Sequence, residues 1–495
     1  MQQSPASLMS AEASSDGHLC GERNAAADVG RLIDYAGCSD RVFARQRVHA
    51  LTTQAQAATG RGLNLTRADL SGMDLSGFDL RHAVLNRASL HGTKLVKTDL
   101  TGASLVCAGL ERTDFTEAIL KAAYVHALAA QACTFRRADL REIVDGTGAL
   151  FHGCDLTAAR LDDAELAGTT FYQCTLSDAH VRGTDLHGAM FNECRMDSAD
   201  LTRARLDDVV ITRSSIGGLV LEQARGRGVV IQHPTGADGL RLARAHLPYL
   251  RLAYVRCHRL SGADLHAPGI DVHACHLPEA NLAHADLTNG RWDGCNLDRA
   301  VLTGSVLTGS SWLSSTAVEA EATNATGEGL TATECTFSRA VLTGFAGRYA
   351  TFRNCTLRGA DLRGAYLYRS CIMGDPPASA CLVDAQLDGA NLAQAYLAAD
   401  FSNASIRHAW ATYARVNQSI FDGANLSGTS LFHASAVKTI FTGAQLSGQR
   451  GAMFADRCPG LVPALRGSGD TDSERVAEWV EEFGQLLRND LGKST

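Results

Sequence analysis

The chain has little of what marks a catalytic or membrane sequence. Proline is scarce at 9 of 495 residues, and aromatics amount to 6%. No apolar run approaches the 18 residues needed to cross a bilayer, and no charged start leads into an apolar stretch with a cleavage site. These absences argue against a membrane span and a standard secretory product, so a cytoplasmic location is expected. No CxxC occurs, which removes the commonest zinc and redox signatures. A glycine-rich phosphate loop, a nucleophile elbow and HExxH are missing too. The expectation is therefore a protein that is not an enzyme, with no cofactor and no metal. A net charge of −7 over this length is mild. It announces neither a nucleic-acid binder nor a strongly acidic surface.

What is present is a comb. Leu65, Leu70, Leu75, Leu80, Leu85, Leu90, Leu95, Leu100, Leu105 and Leu110, then Phe115 and Leu120, stand on every fifth position. Two residues before each comes a mostly small one, such as Ala68, Ala83, Thr93 or Ala103. Neither the helical period nor the strand period makes this pattern. A repeat this short implies a solenoid, whose units hide their apolar side chains by stacking on neighbours. A second period of twenty is visible in Phe151, Phe171 and Phe191, in Phe401, Phe421 and Phe441, and in Trp292 and Trp312. Like stacks on like in a close-packed interior, so twenty residues should form one coil. Of the fifteen cysteines, Cys133, Cys154, Cys174, Cys194, Cys275, Cys295, Cys335 and Cys355 fall in the small slot and read as reduced and buried.

The motif Ala68-Asp69-Leu70, repeated as Ala360-Asp361-Leu362, Ala390-Asn391-Leu392 and Ala424-Asn425-Leu426, resembles the pentapeptide-repeat superfamily. The resemblance implies an all-β solenoid, a right-handed quadrilateral β-helix with four pentapeptides per coil. Short helical N- and C-terminal elements are expected beside it.

Along the chain, residues 1–26 read as a disordered tail, or as an export signal of the kind carried by bacterial effectors. Residues 27–58 show helical spacing and should cap the first coil. The β-helix should run over 63–446. A one-residue slip between Glu142 and Ala149 demands a bulge. The stretch 225–259, with its glycines and arginines, reads as a bend or break, and its lack of interleaved exposed aromatics argues against a phosphate-binding role. A two-residue insertion is expected after Leu260, Leu265 and Ile270, and an underfilled coil where Ala317, Ala322, Gly327 and Ala332 hold the central slots. A loop should form at Asp375-Pro376-Pro377, and a further slip falls between Leu397 and Phe401. Residues 447–470 read as a linker and 471–495 as an amphipathic helix. That helix should fold over the last coil or pair with a second subunit.

Two groups invite chemistry and fail on the pattern. His266, His273, Cys275, His276 and His284 cluster, but Cys275 should face inward and His276 outward. The aspartates before the central residue, such as Asp69 and Asp99, recur with the repeat and read as a solvated rib. Outward aromatics are more informative. Tyr366, Tyr368, Tyr396 and Trp410 are the candidate partner-binding residues, with Tyr413 and Phe432 also outside the inward slots and with Trp479 and Phe483 on the terminal helix. The reading is a rigid scaffold for protein binding, with a homodimer through the C-terminal helix as a further expectation. The resemblance supplies a second reading, a DNA mimic that binds topoisomerases such as gyrase. The third is an exported bacterial effector. Nucleic acid and membrane are not expected partners.

Overall fold

A five-residue step can turn two side chains inward and must satisfy its backbone outside itself. The computed structural model of the protein describes residues 62–375, 380–448, 450–451, 453–466, 474, 477 and 478, and it shows how both demands are met. The comb residues from Leu65 to Leu140 are buried, and so are the small residues two places before them. The residue just before each comb position bridges its equivalent one coil on, as in Asn64 with Val84 and Asp69 with Ser89. Leu70 N–H donates to Ser89 O at 2.9 Å, and Ser89 N–H donates back to Ala68 O at 3.0 Å. Most corners are closed by a short bond such as Met73 N–H to Leu70 O at 3.1 Å. The residue two beyond the comb position takes positive φ, 61° at Arg67 and 58° at His82. That conformation costs a non-glycine residue about 1 kcal/mol. Asp69 and Asp99 help to hold it, accepting from the N–H groups of Ser71 and Thr101 at 3.0 Å. The aspartates expected as a solvated rib are thus turn clips.

Eighteen strands are assigned among the described residues, from β1 (Gly109–Glu111) to β18 (Phe454–Asp456), and sixteen of them form one parallel sheet. The lumen columns follow the twenty-residue period. Phe151, Phe171 and Phe191 stack with centroids 5.0 and 4.9 Å apart, and Phe401, Phe421 and Phe441 at 4.9 and 5.3 Å. Trp292 and Trp312 stack at 5.1 Å. Hydroxyls and thiols in the small slot donate to a carbonyl of the preceding coil, as Thr93 Oγ1 does to Leu70 O at 2.8 Å and Cys174 Sγ to Phe151 O at 3.2 Å. A buried polar group at this slot is usually tolerated because that acceptor is close by, although Ser305 and Ser370 remain without a partner.

The irregularities are local. The slip near Glu142 is a single extra residue at exposed Val144, after which Tyr124 pairs with Asp145. No break occurs at 225–259, because β7 (Val230–Gln232) pairs in parallel with β8 (Arg251–Ala253) across one extra residue near Gly236. The insertion expected after Ile270 is absent. Leu250, Leu260, Leu265 and Ile270 occupy the small slot, while Cys257, Gly262 and Ala267 occupy the central one. Large and small have changed places with lumen volume kept, which a packed core accepts.

The coil with Ala317, Ala322 and Gly327 keeps its phase and borders a cavity of about 30 Å³, so it is underfilled as expected. Five extra residues leave the ladder after β14 (Cys371–Met373), since Thr356 pairs with Cys381. Pro376 and Pro377 in that excursion lie outside the described residues. The slip before Phe401 is a deletion. Strand β16 (Tyr396–Asp400) runs straight through a corner and pairs with both β14 and β15 (Ala380–Cys381).

The stretch 447–470, expected as a linker, carries regular structure at residues 454–456 and 461–466. β18 pairs with β17 (Ser435–Val437), and helix α1 (Leu461–Arg466) buries Leu461 and Leu465 in the same core. Arg466 in its last turn suits the helix dipole. Ala477 is also buried in that core. The tail 1–26, the cap 27–58 and most of 471–495, including Trp479 and Phe483, lie outside the described residues.

Candidate partner-binding face

On one side of the coil, five successive steps are centred on inward Gly347, Leu367, Leu392, Ala411 and Leu431. The ladder through Ala346, Tyr366, Asn391, Trp410 and Ser430 aligns them. Tyr366 and Trp410 therefore stand in one column, two coils apart. Tyr368 follows Leu367 on the same step, and Tyr349, Tyr413 and Phe432 complete the group. Trp410 is 64% exposed, Tyr413 55% and Phe432 48%, and what distinguishes them is that they stand together on one side. Tyr396 lies on the adjoining side, paired with Cys371 and Arg415.

The rings touch one another. Tyr349 and Tyr368 meet edge to face at 6.4 Å, Tyr366 and Tyr368 lie at 6.2 Å, and Tyr413 stacks on His433 at 4.9 Å. Arg348 sits 4.7 Å from the Tyr349 centroid, and Arg369 sits 5.2 Å from that of Tyr368. Arg348 also donates to the Tyr349 hydroxyl at 2.9 Å. That bond and then Arg369 hold the Tyr349 phenol below its usual range. Tyr368 Oη and Arg369 Nε both donate to Gln394 Oε1, at 3.1 and 2.6 Å. The Tyr349, Tyr366 and Tyr368 end of the group is thus braced and carries two cations.

The structure brings Tyr366, Tyr368 and Trp410 onto one face and sets Tyr396 beside it. Tyr349, Arg348 and Arg369 escaped the sequence reading. The signal was weak because glycine holds the central slot at Gly347, so Tyr349 has no comb residue to mark its place.

Other clusters resolve into pairs. In the basic segment, Arg241, Arg244, Arg251 and Arg259 face Glu222, Asp264, Asp271 and Glu279. Exposed aromatics do interleave there, contrary to expectation, because Tyr249 and Tyr254 turn outward and Arg227 lies 4.7 Å from the Tyr249 centroid. His266 bonds Asp286 at 2.9 Å and His273 bonds Asp293 at 3.3 Å, while the Cys275 thiol donates into the core to Leu252 O. No group of three metal-binding side chains converges among the described residues. Cys371 and Cys381 pair with Tyr396 and Asp400, four residues apart on β16. That separation is roughly 13 Å along a strand, beyond disulfide reach. No helix among the described residues is long and apolar enough to cross a membrane.

Comparison with known proteins found a family model, described as pentapeptide repeats, in eight copies. They cover residues 64–102, 85–121, 147–178, 171–208, 275–311, 348–374, 399–435 and 412–448. Among solved structures, the chain is similar to HetL, a pentapeptide repeat protein involved in heterocyst differentiation regulation from the cyanobacterium Nostoc sp. strain PCC 7120. The identity is 23% over 68% of this chain and 94% of that one, with a TM-score of 0.15. It is also similar to QnrB1, a plasmid-mediated fluoroquinolone resistance protein, at 13% identity over 40% of this chain and 84% of that one, TM-score 0.20. A third is Rfr23 from the cyanobacterium Cyanothece 51142, at 19% identity over 28% and 91%, TM-score 0.14. No curated protein sequence matches the chain.

Proposed function

Because the chain belongs to the pentapeptide-repeat family, we propose that it is a non-enzymatic scaffold whose rigid coil presents a protein-binding face. The docking surface in this reading is the side that carries Tyr349, Tyr366, Tyr368, Trp410, Tyr413 and Phe432, with Tyr396 at its margin. One observation carries the reading. Large rings stand exposed in aligned columns on a backbone whose own hydrogen bonds are already satisfied, so covering them is the available gain. A partner that buries a Trp and two further rings gains several kcal/mol without ordering any new loop.

A DNA mimic that binds gyrase is the second reading, and charge placement weighs against it. Mimicry needs a continuous negative side, whereas arginines alternate with acids along the coils, as in Arg205 with Asp185, Arg363 with Asp361 and Arg407 with Asp388. A gyrase supercoiling assay separates the readings, with inhibition or protection at micromolar protein favouring the mimic.

The scaffold is tested by placing a photo-crosslinking residue at position 410 and, as control, at Thr202 on a distant coil. Cross-linking in the native cell followed by mass spectrometry should give a defined protein adduct from position 410 alone. The same adducts from both positions would refute the face. With the crosslinker kept at 410, the double variant Tyr413→Ser with Phe432→Ser should lose the adduct while keeping the melting temperature within a few degrees.

A further inference from the structure

We propose that this face, taken as the docking surface above, recognises a short acidic segment of a partner protein with bulky apolar side chains close beside its acids. The claim rests on that docking role and adds the chemistry of the occupant.

The face is free of carboxylates. Across the five steps 346–350, 366–370, 391–395, 410–414 and 430–434, not one Asp or Glu occurs, in a chain of net charge −7. Arg348 and Arg369 donate to neutral partners, the Tyr349 hydroxyl and Gln394 Oε1. Elsewhere guanidiniums meet acids, as at Arg363 with Asp361 and Arg407 with Asp388 on the adjoining side. Glu328, on the same side one coil earlier, is the carboxylate whose field reaches Arg348, while the guanidinium bonds the Tyr349 hydroxyl instead. The positive charge at this end is therefore open to an incoming anion, and aromatic planes beside it favour Arg–carboxylate pairing by excluding water.

The face is also polar in a second sense. Arg348 and Arg369 stand on its first two coils, and Trp410, Tyr413 and Phe432 on its last two. With coils about 4.8 Å apart the whole spans roughly 19 Å, the reach of about six extended residues. An occupant running along the rod should thus place acids at one end and a bulky apolar side chain about three or four residues away. A long polyanion fits less well. A nucleic-acid strand would pass off the ends and sides of the face onto Glu328, Asp361 and Asp388, where repulsion replaces attraction.

The test is selection of a random twelve-residue displayed peptide library on the full chain. Counter-selection uses Trp410→Ser with Phe432→Ser, and separately Arg348→Glu with Arg369→Glu. Enriched peptides should combine Asp or Glu with Leu, Phe or Trp at the stated spacing, and should weaken about tenfold on the arginine variant. Enrichment of neutral or basic peptides that the ring variant loses and the arginine variant keeps overturns the acidic assignment and leaves the docking face standing. Peptides that bind both variants as well as the parent overturn the face itself. A labelled twenty-residue oligothymidine that binds more tightly than the best peptide assigns the face to nucleic acid and overturns the proposal.

Discussion

Phe345 allows a test in which two damaging changes should cancel. It occupies a small slot, yet its ring fills the lumen between two central-slot glycines. A Cβ on Gly327 would stand 2.4 Å from Phe345 Cζ, and one on Gly347 would stand 2.5 Å from Phe345 Cε1. Neither glycine has positive φ, so the ring and not the backbone forbids a side chain there. Phe345→Ala removes the ring beside an existing cavity of about 30 Å³ and should cost about 3–5 kcal/mol. Gly327→Leu alone overpacks the site and should cost about 1–3 kcal/mol. Together they put a large side chain at the 327 centre, with Ala325 two before it, in the volume that the Phe345 ring gives up. The pair should then cost about 1–3 kcal/mol, below the sum of the singles, a coupling of at least about 1 kcal/mol. Urea midpoints give the totals, and hydrogen exchange on peptides covering 310–355 shows where the change lies, because repeat arrays need not unfold in one step. Additive singles, or exchange that changes equally in the coils at 110–210, would refute the packing argument.

Acid should act through the paired aspartates. The hydrogen bond from Arg363 holds Asp361 below its usual range against the opposing pull of burial, and Asp139 and Asp200 are lowered as well. A lowered carboxylate stabilises the fold above its unfolded value near 3.8, and that contribution disappears as pH falls below it. The aspartate contribution to the melting temperature should therefore hold down to about pH 4 and fall away beneath it, less steeply in Asp361→Asn. Burial pushes the Cys275 thiol up to about 12 and Cys295 up to about 11, so iodoacetamide at pH 8 should label exposed Cys107 before either of them. Labelling of Cys275 in the folded protein at a comparable rate would contradict the inward placement. His246 is lowered by burial, then by the charges of His266 and Arg225. Its unfolded form takes up a proton more readily, so the fold should lose stability as pH falls through about 6.5, and His246→Gln should flatten that part of the melting curve.

The comb, the coil of twenty and the ring columns were legible because each repeats a single steric demand. The swapped stretch was not, since Leu260, Leu265 and Ile270 look like comb residues, and only their coil neighbours show that they fill the other slot. Stacking fixes the sum of volumes in a layer and leaves open which slot supplies it. The end of the chain was misread for a related reason. Met453 and Ala455 continue the core without a leucine, and Gly460 and Pro459 suggest a linker although the chain there lies against Phe441 and Thr442. Of the candidate face, isolated rings could be named, and the excursion after Met373 and the slip before Phe401 were legible too, but which rings share a column follows only when both are carried through the ladder.

That excursion also shows how the molecule handles added sequence. Extra residues leave at a corner and the chain rejoins the same ladder one layer up, with Thr356 and Cys381 in register. Corners are thus natural grafting points. An epitope or a small domain spliced in beside Val144 or Asp375 should hang outside the tube, and its position along the axis could be chosen in increments of one layer.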